Sequence, residues 1–258
     1  METDGIARRA LAAAETRSGV TVRTLHDLAE LRDAQEIFDS TWPMSEGGSN
    51  LPANLFRALV HAGAYSCAAY DGDRPVGATV AFLGRDDGQI ILHSHMAAVL
   101  QDHRNRSIGT AMKCHQRLWA LDNGIGVVSW TFDPLVRRNL RLNMLKLGAE
   151  VRGYERNFYG RMDDDYEFVD ESDRVFAWWV VDSERANAAA LGQLRADEPG
   201  DAARVIEIPE DIVALRKVDL AASLRWRARV REQMETALAD GYRVTGVTPE
   251  GNYVMEKS

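Results

Sequence analysis

Only two cysteines, Cys67 and Cys114, stand in a chain of 258 residues. They lie in unrelated segments, too few for a disulfide scaffold and without metal-ligand spacing. No metal site is expected, and a reducing cytoplasm fits. Long apolar runs are lacking too. No window approaches the roughly 18 apolar residues that mark a membrane-spanning helix. No apolar stretch follows a basic one near the N-terminus, so no signal peptide is expected. Positive charge is in deficit, with 31 Lys and Arg against 39 Asp and Glu, a net charge of -8. That balance argues against a nucleic-acid partner, which favours a basic face. It leaves room for a local basic pocket that takes a polyanion. Internal repeats and low-complexity segments are absent. What is there is an ordinary globular composition, 45% hydrophobic and 27% charged. It supports a buried core in one large domain, or in a domain with a sizeable extension.

Along the chain, residues 1–19 are Ala-rich and charged and read as a short helix or a loose arm. Alternation over 20–25 reads as a strand. Asp27 looks like an N-cap for a helix running toward Ser40, with Leu28, Leu31, Ile37 and Phe38 at helical spacing. The stretch 43–50, with Glu46, Gly47, Gly48 and Ser49, reads as a loop. Leu55, Leu59 and Val60 mark a second helix. Strand-like runs at 64–70, 75–82 and 89–99 are separated by Asp71-Gly72-Asp73 and Asp86-Asp87-Gly88, which predicts an antiparallel meander. A helix is expected over 109–122, a short strand over 127–131, a helix over 134–147 with Pro134 in its first turn, and a strand over 151–159. The strands at 89–99 and 127–131 flank one helix, a βαβ crossover. The acidic residues Asp163, Asp164, Asp165, Asp170 and Glu171 mark a break. Beyond it come a strand at 175–181, a helix at 184–194, a strand at 204–208, a long helix at 220–239 and a closing hairpin. The fold class is therefore mixed α/β (α+β). The expected division is an N-terminal arm at 1–19, a core at 20–165 and a C-terminal α+β extension at 166–258.

One segment carries chemistry. Residues 99–112 follow a strand and open a helix, and within them stand Arg104, Asn105, Arg106, Ser107, Ile108, Gly109 and Thr110. Small residues at 107 and 109 let the backbone approach a bulky anion. The helix N-terminus aims free N–H groups at it, and the helix dipole favours negative charge there. Arg104 and Arg106 can add charge-assisted bonds. The alternative is a plain solvated loop with two surface arginines.

The run Arg104-Asn105-Arg106-Ser107-Ile108-Gly109 resembles the cofactor motif of the GNAT (GCN5-related N-acetyltransferase) superfamily, Gln/Arg-x-x-Gly-x-Gly/Ala. Ser107 replaces the first glycine. The order of elements from 20 to about 160 is similar as well. Trp130, Asp133, Pro134, Asn139, Asn143, Lys146, Gly148, Tyr154, Asn157, Tyr159 and Gly160 look like a subgroup with an extended C-terminus. The resemblance implies a GNAT acyl-CoA N-acyltransferase fold and an acyl-CoA cofactor, acetyl-CoA or a larger donor such as succinyl-CoA. It implies a bulged strand end near 96–99, where Ala97, Ala98 and Val99 hydrogen-bond the pantetheine arm. It implies that Asn139 touches the thioester end. The sequence departs from the family at Met144, where many members carry the tyrosine that protonates the CoA thiolate. Asn143, Tyr154 and Tyr159 are the nearest replacements.

Other roles stay open between two readings. His93 and His95, at i and i+2 on one strand, share a side of the sheet, and the resemblance makes that strand a common place for the general base. They are otherwise structural. His115 reads as core, and His103 as an exposed loop residue. Asp133 follows a strand and precedes a proline, so it binds a substrate ammonium or caps the next helix. Trp42 and the Gly47-Gly48-Ser49 loop line an acceptor pocket or form a connector. Arg225, Arg227, Arg229 and Arg231 form a solvated face paired with carboxylates, or reach an acidic group. The expected activity is acyl transfer to the amine of a small metabolite such as an amino acid. The rivals are a non-catalytic acyl-CoA-binding module, kept alive by Met144, and a protein N-acetyltransferase. The oligomeric state has no signature in the sequence, and a homodimer is the working expectation.

Overall fold

The computed structural model describes residues 2–44, 48–160 and 171–257. Glu46, Gly47, the acidic residues at 163–165 and Asp170 lie outside the described residues, and so does the expected boundary near 165. The chain divides into two compact units. The first holds the described residues up to Ser129 together with Val180–Ser183, and the second holds those of 130–179 and from Glu184 onward.

In the first unit, the N-terminal segment is a full helix, α1 (Glu2–Ser18). Alanine has the best helix propensity, and Ile6, Ala7, Ala14 and Ser18 form its buried stripe. It packs on α4 (Ile108–Asp122), with Arg8 paired to Asp122 at 3.1 Å. After β1 (Thr21–Thr24), Asp27 caps α2 (Leu28–Thr41) in a capping box with Glu30, which satisfies two orphan helix donors. Then follow α3 (Ala53–His61), β2 (Tyr65–Asp71), β3 (Arg74–Asp86) and β4 (Gln89–Val99). Strands β1 to β4 pair antiparallel in order, and β5 (Val127–Phe132) joins β4 in parallel through the crossover helix α4. Six consecutive residues of β2, 65–70, are buried, so both of its faces are covered. Leu31, Ala34, Ile37 and Phe38 of α2 and Phe56 of α3 fill one cluster with Ala68, Ala78 and Val80 of the sheet.

In the second unit, the far end of β5 lies beside β7 (Arg174–Val180), which pairs antiparallel with β6 (Glu150–Glu155). Helix α5 (Arg137–Arg141) continues into a π-helical turn, Leu142–Leu147. It ends at Gly148, with φ 74°. A Cβ there would also stand 2.6 Å from the Arg185 carbonyl oxygen of α6 (Glu184–Ala190), so glycine is required twice over. The remainder is β8 (Arg204–Ile206), α7 (Ile212–Val218), α8 (Leu220–Ala239), β9 (Tyr242–Val247) and β10 (Tyr253–Lys257), with the sheet order β8-β10-β9.

Several expectations need correction. Pro134 is not in a helical first turn, because α5 begins only at Arg137. Strand β6 stops at Glu155, and the chain then turns through Asn157 at φ 46°. Helix α6 ends at Ala190, short of 194. The sequence reading had no counterpart for α7.

Candidate functional site

The loop expected to hold an anion is built in the first unit from a strand end, a short turn and a helix start. A single 3-10 turn, Gln101–His103, separates β4 from the loop. Asn105 and Ser107 then take left-handed backbone, at φ 66° and 64°. Ser107 is the N-cap of α4, and its side chain makes no capping bond. The first backbone donors of a helix have no partner within it, and here the cap side chain does not substitute. A Cβ built on Gly109 meets nothing within 4 Å, so the space before this N-terminus is open. Arg104, Asn105, Arg106 and Ser107 are exposed, Gly109 and Thr110 are half-buried, and Ile108 is buried as the anchor beneath them.

Two loop residues differ from expectation. Arg106 places Nη1 2.9 Å from Asp71 Oδ2, and its Nη2 donates to the Ser18 carbonyl at 3.3 Å. It ties the loop to the end of β2 and to α1. His103 is buried, with ring nitrogens 2.8 Å from Asp102 Oδ1 and 3.5 Å from Asp71 Oδ2. The short turn folds its ring inward, where two carboxylates receive it. Arg104 stays with the strand and donates from Nε to the Val99 carbonyl at 3.3 Å.

Strand β4 supplies a second feature. Its register against β3 slips between Ser94 and Met96, which leaves His95 as the extra residue of a bulge. Past the bulge, Leu100 N–H donates to the Val76 carbonyl. Because antiparallel pairs alternate, Met96 and Ala98 turn their backbone groups to β3, and Ala97 and Val99 present theirs to the opposite edge. On that edge β5 pairs with β4 only through Leu92↔Val128 and His93↔Ser129. Among the described residues no strand pairs with the edge at Ala97 and Val99, where the Val99 carbonyl accepts from Arg104 Nε. Ala98, expected beside them, is committed to β3.

His93 and His95 lie on one side, their rings 6.3 Å apart, each in contact with Phe82. His93 Nδ1 is 3.3 Å from Ser129 Oγ. Burial lowers the pKa of His93, and the charges of His95 and Lys113 lower it further. Burial alone lowers that of His95. Both rings are thus held neutral near pH 7, the form a base needs. His115 is partly buried, its Nδ1 2.8 Å from the Tyr65 hydroxyl, and burial takes its pKa down to about 4.

Lys113 was not singled out from the sequence. It is buried on α4, and its Nζ donates to Ser94 Oγ and Gln116 Oε1, both at 2.9 Å. Burial pushes its pKa down to about 7. No signal marks it, because it sits at helical spacing among residues that look like an exposed polar face.

In the second unit, Asp133 accepts from Leu135 N–H at 2.9 Å. Its carboxylate also takes a bidentate pair from Arg227, at 2.9 and 3.0 Å, and a bond from Arg216 at 2.7 Å. Burial would raise its pKa, but Arg227 and then Arg216 outweigh that and hold it far below the usual carboxylate range. Asp133 is neither the cap of a helix at Pro134 nor a free partner for an ammonium. The α8 arginines divide accordingly. Arg225 and Arg229 are exposed, while Arg227 is buried and Arg231 half-buried, so the second pair is no solvated face. Arg231 binds Asp173 in bidentate fashion at 2.9 and 2.7 Å. Tyr154 donates its hydroxyl to the same Asp173, and burial together with that carboxylate raises its pKa. A tyrosine so held is a poor acid.

The other expected residues are placed as follows. Tyr159 is exposed, its hydroxyl 3.0 Å from Thr131 Oγ1. Asn143 is buried in the π turn, and its Nδ2 has no hydrogen-bond partner among the described residues. Asn139 is half-buried in α5. In the first unit, Trp42 is half-buried at the end of α2, stacked on Phe38, and its carbonyl accepts from Asn50. Among the described residues there is no group of side chains that could hold a metal, and no helix long and apolar enough to cross a membrane.

The sequence model of the acetyltransferase (GNAT) domain matches residues 4–132, half of the chain. The chain belongs to the GNAT acetyltransferase family. Its fold is similar to that of a GNAT acetyltransferase from Streptococcus pneumoniae, at 10% identity over 62% of this chain and 97% of that one, with a TM-score of 0.50. It also resembles the ribosomal-protein-S18-alanine N-acetyltransferase from Escherichia coli (14% identity, 63% and 94% covered, TM-score 0.49). A further similar structure is a GNAT acetyltransferase from Elizabethkingia anophelis with acetyl-CoA bound (14%, 63% and 98%, TM-score 0.46). No curated protein matches the sequence. As a GNAT N-acetyltransferase, the protein uses an acyl-CoA, and the first unit fits such a ligand. The open helix start at Ser107–Gly109 suits a pyrophosphate, and the edge at Ala97 and Val99 suits the amides of a pantetheine arm.

Proposed function

We propose that this acetyltransferase transfers an acetyl group from acetyl-CoA to the amine of a small metabolite such as an amino acid. The observation that carries the reading is the open, uncapped N-terminus of α4 beside a strand edge that no described strand pairs with after His93. Acetyl-CoA supplies an activated carbonyl: the amine nitrogen bonds to it, the carbon–sulfur bond breaks, and the thiolate leaves and takes up a proton. Backbone N–H groups from Ser107 to Thr110, with the Arg104 side chain, hold the pyrophosphate. Ala97 and Val99 hold the pantetheine, and the Val99 N–H polarises the carbonyl. His93 and His95, kept neutral by burial, accept the proton of the attacking amine.

Tyr154 is occupied by Asp173, so the proton for the leaving thiolate comes from Tyr159, and Asn143 Nδ2, which has no partner among the described residues, can donate a hydrogen bond to it. Asn139 contacts the thioester end, and Trp42 borders the acceptor. Acetyl is preferred over an acidic acyl group because Arg227 and Arg231 are already matched by Asp133 and Asp173. In the second unit, the segments around Ile208 and Pro249 act as a buttress for α5. Arg137 donates to the Ile208 carbonyl, and Arg141 to the Pro249 carbonyl at 2.7 Å.

A thiol-release assay with acetyl-CoA and succinyl-CoA against amino acids, small amines and short peptides tests the reading. Release that needs acetyl-CoA and an amino acid or amine is the expected result. Release with peptides alone would reject the small acceptor, and faster release from succinyl-CoA would reject the donor.

A further inference from the structure

Helix α4 meets the sheet of the first unit at two points that bracket the bulged end of β4. At one of them stands Gly77 of β3, the pairing partner of Val99. A Cβ there would stand 3.3 Å from both Ile108 Cγ2 and Met112 Cε, so the missing side chain lets the start of the helix come close. At the other point, Lys113 Nζ donates to Ser94 Oγ at 2.9 Å. Both residues are buried. The lysine is steadied from its own helix, where Gln116 Oε1 accepts from Nζ, also at 2.9 Å. Ser94 is the last residue of β4 before His95, the extra residue of the bulge. Ser94 turns to α4, while His93 and His95 turn to the other face and contact Phe82. Between the two anchors runs the segment with Ala97 and Val99.

We infer that Lys113 is a positioning residue of the cofactor site: its bond to Ser94 sets the distance between the start of α4 at Ser107–Gly109 and the strand edge at Ala97 and Val99, so that one CoA molecule meets both. The inference rests on the placement of CoA in the reading above and deepens it. A bulge disrupts the ladder and lets a strand bend. Past His93, β4 is held on its β3 side, and the pairs with β5 reach only His93↔Ser129 among the described residues. A bond from the helix to the residue just before the bulge limits that bending. Lys113 lies little more than one turn past the helix start at Ile108, so the rod that carries the phosphate donors also carries the tie. An apolar side chain would fill the same space at less cost than a buried amine. Burial pushes the pKa of this one down to about 7. What the amine adds is direction, because a hydrogen bond fixes a distance that an apolar contact leaves loose. Two halves of one ligand bind as a unit only when their sites are held at the span of the linker between them.

Calorimetry with CoA and with ADP, which carries the pyrophosphate without the pantetheine, tests the inference. Lys113→Met and Ser94→Ala should each weaken CoA by about tenfold, while ADP changes by less than about twofold. The double variant should bind CoA no worse than either single one, since both residues act through one bond. Ser94→Ala removes a single hydroxyl and leaves the lysine its bond to Gln116, so it keeps the test open if Lys113→Met folds poorly. Equal losses for CoA and ADP would mark a general defect of the helix and overturn the assignment. Unchanged CoA affinity in the single variants, or losses that add in the double one, would overturn it as well. Gly109→Asp separates this result from the cofactor placement itself. If that variant keeps CoA, the placement fails. If it loses CoA while Lys113→Met and Ser94→Ala keep it, the placement stands and only the role of Lys113 is rejected.

Discussion

Lys113 Nζ donates to Ser94 Oγ at 2.9 Å, so a buried cation is bonded to the residue between His93 and His95. Gln116 provides a second acceptor on the same helix. Cys67 also faces the lysine, and its own thiol is pushed up to about 12 by burial. Burial is what lowers the pKa of the lysine, to about 7.

This makes stability rise with pH. Between about 7, the folded value, and 10.5, the ordinary one, the unfolded chain binds a proton that the folded chain does not. The contribution is least favourable below this window and improves through it, by up to about 1.4 kcal/mol per pH unit. Lys113→Met should remove that slope. Urea midpoints across the window check it, and parallel slopes in both proteins would contradict it.

The acid limb of kcat/KM should lie below the ordinary imidazole value of 6.5, because burial and then the His95 and Lys113 charges lower the pKa of His93. Lys113→Met removes one of those charges, and the limb should move to higher pH. His93→Gln should reduce kcat by about 10²-fold or more if the ring is the base. A limb that stays in place in Lys113→Met would show that the lysine does not act on His93.

Ser107 occupies left-handed backbone, which costs a side chain about 1 kcal/mol relative to glycine. Ser107→Gly should raise Tm and leave CoA affinity equal or higher. Gly109→Asp should fold normally, since nothing stands within 4 Å of the new Cβ, yet lose CoA binding to the added charge. Calorimetry with CoA reads both, and undiminished affinity in Gly109→Asp would remove the loop from the cofactor site.

Asp133→Ala should destabilise the fold by about 3–5 kcal/mol, because Arg227 and Arg216 would lose a buried counter-charge. The folded pKa of Asp133 is depressed, so its contribution is present above the unfolded carboxylate value and fades as pH falls below it. Chemical denaturation should show that the variant loses much less stability on acidification than the wild type. A small change at neutral pH would mean that the ion pair is structurally idle.

The readable parts of the chain were those whose cause lies within a few neighbouring residues. Asp27 and Glu30 cap α2 by themselves, the turns at Gly72 and Gly88 set the meander, and α8 runs over the expected 220–239. The start of α4 at Ile108, one residue from the expected 109, could be read because a helix start is a local backbone device. The same locality limited the reading. Nothing near Lys113 or His103 in the sequence says that they are buried, and nothing near Asp133 says that Arg216 and Arg227 will neutralise it. Those partners come from 83 and 94 residues away. The sequence by itself determined most of the order of elements through the first unit, since strands, turns and helix caps follow from short-range sterics and hydrogen bonds. Only the tertiary structure decided which charges are buried and matched, such as Asp133 with Arg216 and Arg227, since burial and pairing depend on the whole packed chain.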